Sequence, residues 1–237
     1  MANNENCWAV VPAAGVGTRM QSAIPKQYLQ LRDRTVIEHT LERLGRHPRI
    51  RGVVVVVAAE DDIWPSVSQR LPIQVQAAPG GSERWESVAN GLAYLAMMAE
   101  ADDWVLVHDA ARPCLRADDI DKLIDRSVET QRGGILAVPV RDTLKRCADN
   151  GAIETTVDRT ALWHALTPQM FPLQALRDAL AVVAESGEMV TDEAQAMERA
   201  GHQTQVVEGH VDNIKITHPA DLELAAMYLA EQERKTS

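Results

Sequence analysis

VVPAAGVGTRM, residues 10–20, is the stretch on which the reading of this chain turns. Two valines close a strand-like run that begins at Trp8, and Pro12-Ala13-Ala14-Gly15-Val16-Gly17 follows as a loop of small residues leading to Arg19. Small residues let backbone N–H groups approach a phosphate, and glycines admit positive φ. In an open parallel sheet, ligands bind beyond the carboxyl ends of the strands, which is where this loop lies.

Three loop types compete for it. A dinucleotide fingerprint, G-x-G-x-x-G, needs a third glycine where Met20 stands, and an acid at the end of a second strand about 20 residues later. The chain there reads Leu31-Arg32-Asp33-Arg34 and runs into a helical segment with no strand before it. A Walker A loop needs Gly-Lys-Ser/Thr, which is absent. The third type is a nucleotidyltransferase loop, in which Arg19 and a nearby lysine stabilise a triphosphate. Lys26, seven residues after Arg19, can be that lysine. Taken by itself, the loop also reads as a tight turn with a solvated arginine and lysine.

Outward from the loop, short β-branched runs alternate with segments of helical period. Strands are expected at Trp8–Val11, Val53–Ala58, Ile73–Ala77, Trp104–Val107, Ile135–Val138, Leu162–Leu166, Gln205–Val207 and Ile214–Thr217. Helices are expected at Val36–His47, Asp61–Leu71, Arg84–Glu100, Asp118–Gln131, Leu173–Glu185, Asp192–Ala200 and Ala220–Glu233. Strands such as VVVVV, without polar alternation, are buried on both faces, so the pattern implies a mainly parallel sheet flanked by helices. Val140–Arg159 breaks the alternation with two polar strand-like pieces around Asp149-Asn150-Gly151, a hairpin signal. A lone hairpin is marginal in water, so this one either lies on the main sheet or reaches into another subunit.

The chain has 237 residues, 46% of them hydrophobic and 24% charged, ordinary values for one soluble globular unit. One phenylalanine, Phe171, leaves the core to aliphatic residues. A net charge of −10 argues against nucleic acid as a partner, since phosphate backbones need clustered Lys and Arg. The start, MANNENCWAVV, lacks a charged segment followed by an apolar one, and the run GVVVVVAA is too short to span a bilayer. Cys7, Cys114 and Cys147 are far apart and lack metal-ligand spacing. These features give the expectation of a reduced, cytoplasmic protein without a membrane segment.

PAAGVGTRM with PKQYL resembles the signature loop of the sugar nucleotidyltransferases. HDAARP (108–113), TVDR (156–159), LTPQ (166–169), TDEA (191–194) and DNIK (212–215) then follow in the order found in the 2-C-methyl-D-erythritol 4-phosphate cytidylyltransferases. The resemblance spans nearly the whole chain. It implies a Rossmann-like α/β fold, an open and mainly parallel twisted sheet with helices on both faces and a protruding β-hairpin arm. Residues 1–237 then form a single nucleotidyltransferase domain, with 140–160 as the arm of a homodimer.

By this resemblance, Pro12, Ala13, Ala14, Gly15, Gly81, Ser82 and Ser87 line the nucleotide site, with Asp109 and Ala110 beside them. Ser82 stands where the family usually has Asp. Arg112, Thr143, Arg159, Thr167, Thr191 and Lys215 are assigned to the sugar phosphate. Asp109, at a strand's carboxyl end, is placed to hold Mg²⁺ or another divalent cation against phosphate oxygens, with Asp212 as a second possible ligand. Read alone, Asp109 can instead pair with Arg112, Lys215 can be a solvated side chain of an amphipathic strand, and Thr191 a helix cap. His108, His164 and His210 lack a nucleophile partner and read as core or surface histidines.

The implied reaction is transfer of CMP from CTP to 2-C-methyl-D-erythritol 4-phosphate with release of pyrophosphate. The attacking phosphate is already largely ionised, its second pKa being about 6, so no general base is required. Catalysis then rests on Arg19, Lys26, Arg159 and Lys215 as charge stabilisers and aligners. Alternatives are a cytidylyltransferase for another polyol phosphate, such as ribitol 5-phosphate, and a silent nucleotide-binding module. A silent module has no use for Arg19, Lys26, Asp109, Arg159 and Lys215 together.

Overall fold

The structure is a computed structural model that describes residues 6–15 and 24–236. Its framework is a seven-stranded sheet, and the elements are numbered in chain order. Strand β1 (Cys7–Pro12) is followed by a two-stranded ribbon of β2 (Gln30–Leu31) and β3 (Arg34–Thr35), helix α1 (Val36–Gly45), β4 (Ile50–Val57), α2 (Trp64–Ser68) and β5 (Gln76–Pro79). Next come α3 (Arg84–Leu95), β6 (Trp104–Val107), α4 (Ala117–Thr130) and β7 (Gly134–Pro139). A second ribbon, β8 (Leu144–Cys147) and β9 (Ile153–Val157), precedes β10 (Trp163–Pro172), α5 (Leu173–Ser186), α6 (Glu193–Arg199), β11 (Gln205–Glu208) and α7 (Pro219–Thr236).

The main sheet has the order β11-β7-β10-β6-β1-β4-β5, and every neighbouring pair is parallel except the two made by β10. The expected architecture therefore holds, with one antiparallel strand inside the sheet. Its two faces bury separate clusters. Ala9, Val11, Val53, Val55 and Leu106 point to the side of α1, α2 and α4, where Leu41, Val67 and Leu123 meet them. Val10, Val54, Val56, Val105 and Val107 point to the side of α3, α5 and α6, against Leu92, Leu180 and Met197. Successive strand residues face opposite sides, so burial on both faces demands the unbroken valine run of β4.

Several boundaries differ from the sequence expectation. Ile214–Thr217 forms no strand. Its residues run along the carboxyl edge of the sheet, where the Ile216 N–H bonds to the Ala111 carbonyl at 2.8 Å. Ile214 and Ile216 pack instead with Ala225 and Leu229 of α7. Helix α2 is shorter than Asp61–Leu71 because the Asp61 carboxylate accepts from the N–H groups of Ile63 and Trp64 and sets its start late. β10 runs past Leu166 to Pro172, with its register shifted between Ala165 and Gln169, around Pro168, which has no N–H to donate to a ladder. The hairpin β8–β9 pairs only with itself, turning through Gly151 at φ +82°, and most of its residues are exposed.

Candidate active site

β1, β4 and β6 end at one edge of the sheet, and there a cavity of about 410 Å³ opens. One wall is the start of the opening loop, Pro12 to Gly15, and the other is the turn before α3 from Gly81 to Ser87. Lys26, Gln27, Asp109, Ala110 and Lys215 complete it. The nucleotide-site residues read from the sequence are thus brought together from three separate segments, 12–15, 81–87 and 109–110. Arg19 lies outside the described residues.

The loop geometry has local causes. Gln27 is buried, and its side-chain amide donates to the carbonyls of Ala13 (2.7 Å) and Gly15 (3.2 Å). With those carbonyls drawn toward Gln27, the loop is anchored to the turn that carries Lys26. Opposite, the Ser87 hydroxyl accepts the Gly81 N–H at 3.1 Å and donates to the Glu83 carbonyl at 3.2 Å. Both donors of Ser82, its N–H and its hydroxyl, go to the Glu86 carboxylate at 2.7 and 2.6 Å, and the Glu83 N–H joins them at 3.1 Å. Those bonds from Ser82 and Glu83 hold the Glu86 carboxyl below the usual range. A Cβ on Gly80 would lie 2.3 Å from that of Ala14, so glycine there lets the two walls approach.

Asp109 is the electrostatic centre. It follows β6 directly, is 7% exposed, and accepts from three cations: Arg84 at 3.2 Å, Arg112 at 3.2 Å and Lys215 at 3.1 Å. Burial alone raises a carboxyl pKa, but Arg84, Lys215 and Arg112 together hold this one well below the usual carboxylate range. Arg84 also spans to Glu193, the first residue of α6, through two bonds of 2.6 and 3.1 Å. Glu193 is 1% exposed, so the pair is a buried brace between α3, the end of β6 and α6. Arg112 continues to the Asn213 carbonyl at 2.8 Å, and Asn213 donates to the Thr167 carbonyl at 2.7 Å. Lys215 is therefore turned to Asp109 and is not a merely solvated side chain.

A smaller cleft of about 190 Å³ adjoins the first and shares Arg84, Asp109 and Lys215 with it. Arg112, Thr167 and Thr191 line the smaller cleft only. Thr191 bonds the Gln195 side chain through its N–H, at 2.8 Å, and its hydroxyl, at 3.2 Å, while Asp192 supplies the α6 cap at 2.9 Å. Thr143 and Arg159 lie at the arm, exposed, and line neither space. The Arg159 guanidinium bonds the Arg141 carbonyl.

An ionised carboxylate offers about four lone-pair positions. Arg84, through Nε at 3.3 Å and Nη2 at 3.2 Å, Arg112 and Lys215 make four close contacts with Asp109, so a metal there would exchange with one of them. Mg²⁺ commonly binds through only one or two carboxylates, and among the described residues Asp109 is the carboxylate that lines both spaces. Asp109 fits that role. Asp212 does not join it: its carboxylate accepts from Arg116 at 2.6 and 2.9 Å and from Gln232 at 2.9 Å, and it lines neither space. His108 is fully buried, which pushes its imidazole down to about 4. His164 is exposed, and His210 pairs with Asp119 at 2.8 Å. The sequence reading of all three as core or surface groups agrees with these positions.

Sequence reasoning passed over Arg84, Glu193 and Gln27. Arg84 and Gln27 stood beside residues already singled out, in GGSER and PKQYL, whereas Glu193 looked like an ordinary acid in a first helical turn.

The family model described as IspD, 2-C-methyl-D-erythritol 4-phosphate cytidylyltransferase, matches residues 7–231. A relative of that name from Shewanella amazonensis is 50% identical over 228 residues, covering 96% of this chain and 95% of the relative. One from Pseudomonas aeruginosa is 53% identical over 216 residues, 91% of this chain and 92% of its own. The crystal structure of the Francisella tularensis 2-C-methyl-D-erythritol 4-phosphate cytidylyltransferase superposes with a TM-score of 0.82 at 34% identity, over 94% of this chain and 99% of that one. With the fold, the paired-loop cavity and the ordered motifs all in agreement, the chain belongs to the 2-C-methyl-D-erythritol 4-phosphate cytidylyltransferase family.

Proposed function

We propose that this protein transfers CMP from CTP to 2-C-methyl-D-erythritol 4-phosphate, giving 4-diphosphocytidyl-2-C-methyl-D-erythritol and pyrophosphate. The observation that carries this reading is the pair of joined spaces sharing Asp109, Arg84 and Lys215, in a chain of that family. CTP takes the larger space, between the Ala13–Gly15 loop and the Gly81–Ser87 turn. The polyol phosphate takes the smaller one, beside Arg112, Thr167 and Thr191.

An oxygen of the acceptor phosphate attacks the α-phosphorus of CTP, and the bond to the bridging oxygen breaks so that pyrophosphate leaves with the electron pair. The nucleophile is ionised before it binds, so the residues act by position and charge. Lys26, together with Arg19, stabilises charge on the α-phosphate and the leaving pyrophosphate. Lys215 and Arg112, held by Asp109, present cations to the acceptor phosphate. A divalent cation on Asp109, when bound, supplies further neutralisation across the phosphates.

We place Thr143 and Arg159 in a neighbour's site, delivered by the 140–160 arm of a homodimer in which each chain is one nucleotidyltransferase domain. An isolated exposed hairpin is marginal by itself, and neither residue reaches its own chain's cavity, which supports this assignment. Cys7, Cys114 and Cys147 are far apart in the sequence, and this spacing supports a reduced cytoplasmic setting. No described helix is long and apolar enough to cross a membrane.

The test is pyrophosphate release with CTP and Mg²⁺, comparing methylerythritol phosphate, ribitol phosphate and no acceptor. Release that depends on methylerythritol phosphate is expected. Release with neither acceptor defeats the transferase reading, and a preference for ribitol phosphate reassigns the substrate.

A further inference from the structure

Three hydrogen bonds behind Asp109 have directions that follow one from another. The Arg112 carbonyl only accepts, so Nε2 of His108, 3.1 Å away, carries a hydrogen. His108 is fully buried and both its ring nitrogens face neutral partners, so the imidazole holds one hydrogen and no charge. Its Nδ1 is then a bare acceptor, and the Thr167 hydroxyl, 2.9 Å away, donates to it. The same hydroxyl oxygen accepts the Asp109 N–H at 3.1 Å. A threonine hydroxyl has one hydrogen and two lone pairs. The hydrogen is committed to His108 and one lone pair to Asp109, which leaves one lone pair and no donor for a molecule entering the smaller cleft.

We propose that His108 is a positioning residue that fixes Thr167 as an acceptor, so that Thr167 reads a hydroxyl of the acceptor polyol and not an oxygen of its phosphate. This rests on the cytidyl-transfer reading above. The cations around the cleft are donors only and suit anionic oxygens, whereas a lone pair on Thr167 repels them. A polyol hydroxyl brings the hydrogen that this position lacks. The expectation that Thr167 serves the sugar phosphate is thereby narrowed to its sugar half. A site built to hydrogen-bond a substrate hydroxyl discriminates strongly against the analogue without it, because its own polar atom is left unpaired.

Wild type, Thr167→Ser and Thr167→Val are compared with the full acceptor and with analogues lacking one hydroxyl each. Wild type should lose about tenfold or more in kcat/KM with one analogue, the value of roughly one hydrogen bond. Thr167→Val should show that loss already with the full acceptor and no longer distinguish the two, while Thr167→Ser keeps the discrimination. CTP affinity, measured by calorimetry, should stay within about twofold of wild type in both variants, a difference well below one hydrogen bond. A readout independent of turnover is the long-range ¹H–¹⁵N spectrum of ¹⁵N-histidine-labelled protein, with His108 assigned by its shift in Thr167→Val. The neutral tautomer with hydrogen on Nε2 is expected. Hydrogen on Nδ1, an imidazolium at pH 7, or a Thr167→Val enzyme that still discriminates overturns the proposal. Wild type that releases no pyrophosphate with any acceptor defeats the cytidyl-transfer reading instead, and the tautomer still decides the role of His108.

Discussion

Arg84→Ala is the substitution that separates the brace from an ordinary surface ion pair. Arg84 meets Glu193 through two bonds of 2.6 and 3.1 Å, and Glu193 is 1% exposed. Removing one partner of a buried pair leaves the other charged and dry, at a cost of about 3–5 kcal/mol. The Arg84 side chain is 32% exposed, so water enters the vacated space and the lower end, about 3 kcal/mol, is expected. Asp109 adds little, because Arg112 and Lys215 remain on it. For a chain of this size the loss corresponds to a fall in Tm of about 6–12 °C.

Urea unfolding at one fixed protein concentration measures it, with Glu193→Leu and the double substitution completing a cycle. Arg84→Ala/Glu193→Leu should be more stable than Arg84→Ala by at least about 1.5 kcal/mol, since no buried charge remains unpaired. A single-variant loss below about 1 kcal/mol, the range of exposed pairs, would refute the claim that the pair is a buried brace. Strict additivity in the cycle would refute the direct coupling.

Acid should weaken the fold through two groups acting in the same direction. His108 has its folded pKa pushed down to about 4, so the unfolded chain binds the proton first and stability falls as pH drops from about 6.5 to 4, by about 3 kcal/mol in all. Asp109, held ionised by its three cations, contributes stability above the unfolded carboxyl pKa that is lost as pH falls further. Unfolding curves across this range should steepen with acid, and His108→Gln should flatten the 6.5-to-4 part. An unchanged slope would count against a buried neutral imidazole. In α3, a Cβ on Gly91 would lie 2.7 Å from methyls of both Val10 and Val56. Gly91→Ala should therefore destabilise by about 1–3 kcal/mol, overpacking outweighing a helix-propensity gain of about 1, and a higher urea midpoint would contradict that packing. Lys26→Ala and Arg159→Ala chains, each inactive alone, should regain about a quarter of wild-type activity when refolded together, since half of random dimers are mixed and each has one intact site. No recovery in demonstrably mixed dimers removes the crossed arm.

What the sequence made legible depended on whether a residue's neighbours in space were also its neighbours in pattern. The valine run of β4 and the ends of β6 declare themselves, because a strand buried on both faces has no polar position. The same logic misled at Ile214–Thr217. The alternation of Ile214, Lys215 and Ile216 is that of a strand, yet it arises because the isoleucines meet α7 while the lysine turns to Asp109. Strand and edge loop share a two-residue period, and pattern alone cannot separate them. Asp109 was legible as a strand-end carboxylate, but its charge state was not, since that depends on Arg84, 25 residues before it, and Lys215, far beyond it. His108 shows the limit most clearly. HDAARP and LTPQ each carry half of a hydrogen-bond chain, and neither half has a direction until both are folded against each other. Once His108 and Thr167 are 2.9 Å apart and the Arg112 carbonyl is in place, every hydrogen in the chain is assigned. Residue type supplies the capacity to donate or accept, and the fold removes the choice. A site that must hold two polyanions side by side needs that removal, because a hydroxyl free to rotate would satisfy either substrate and select neither.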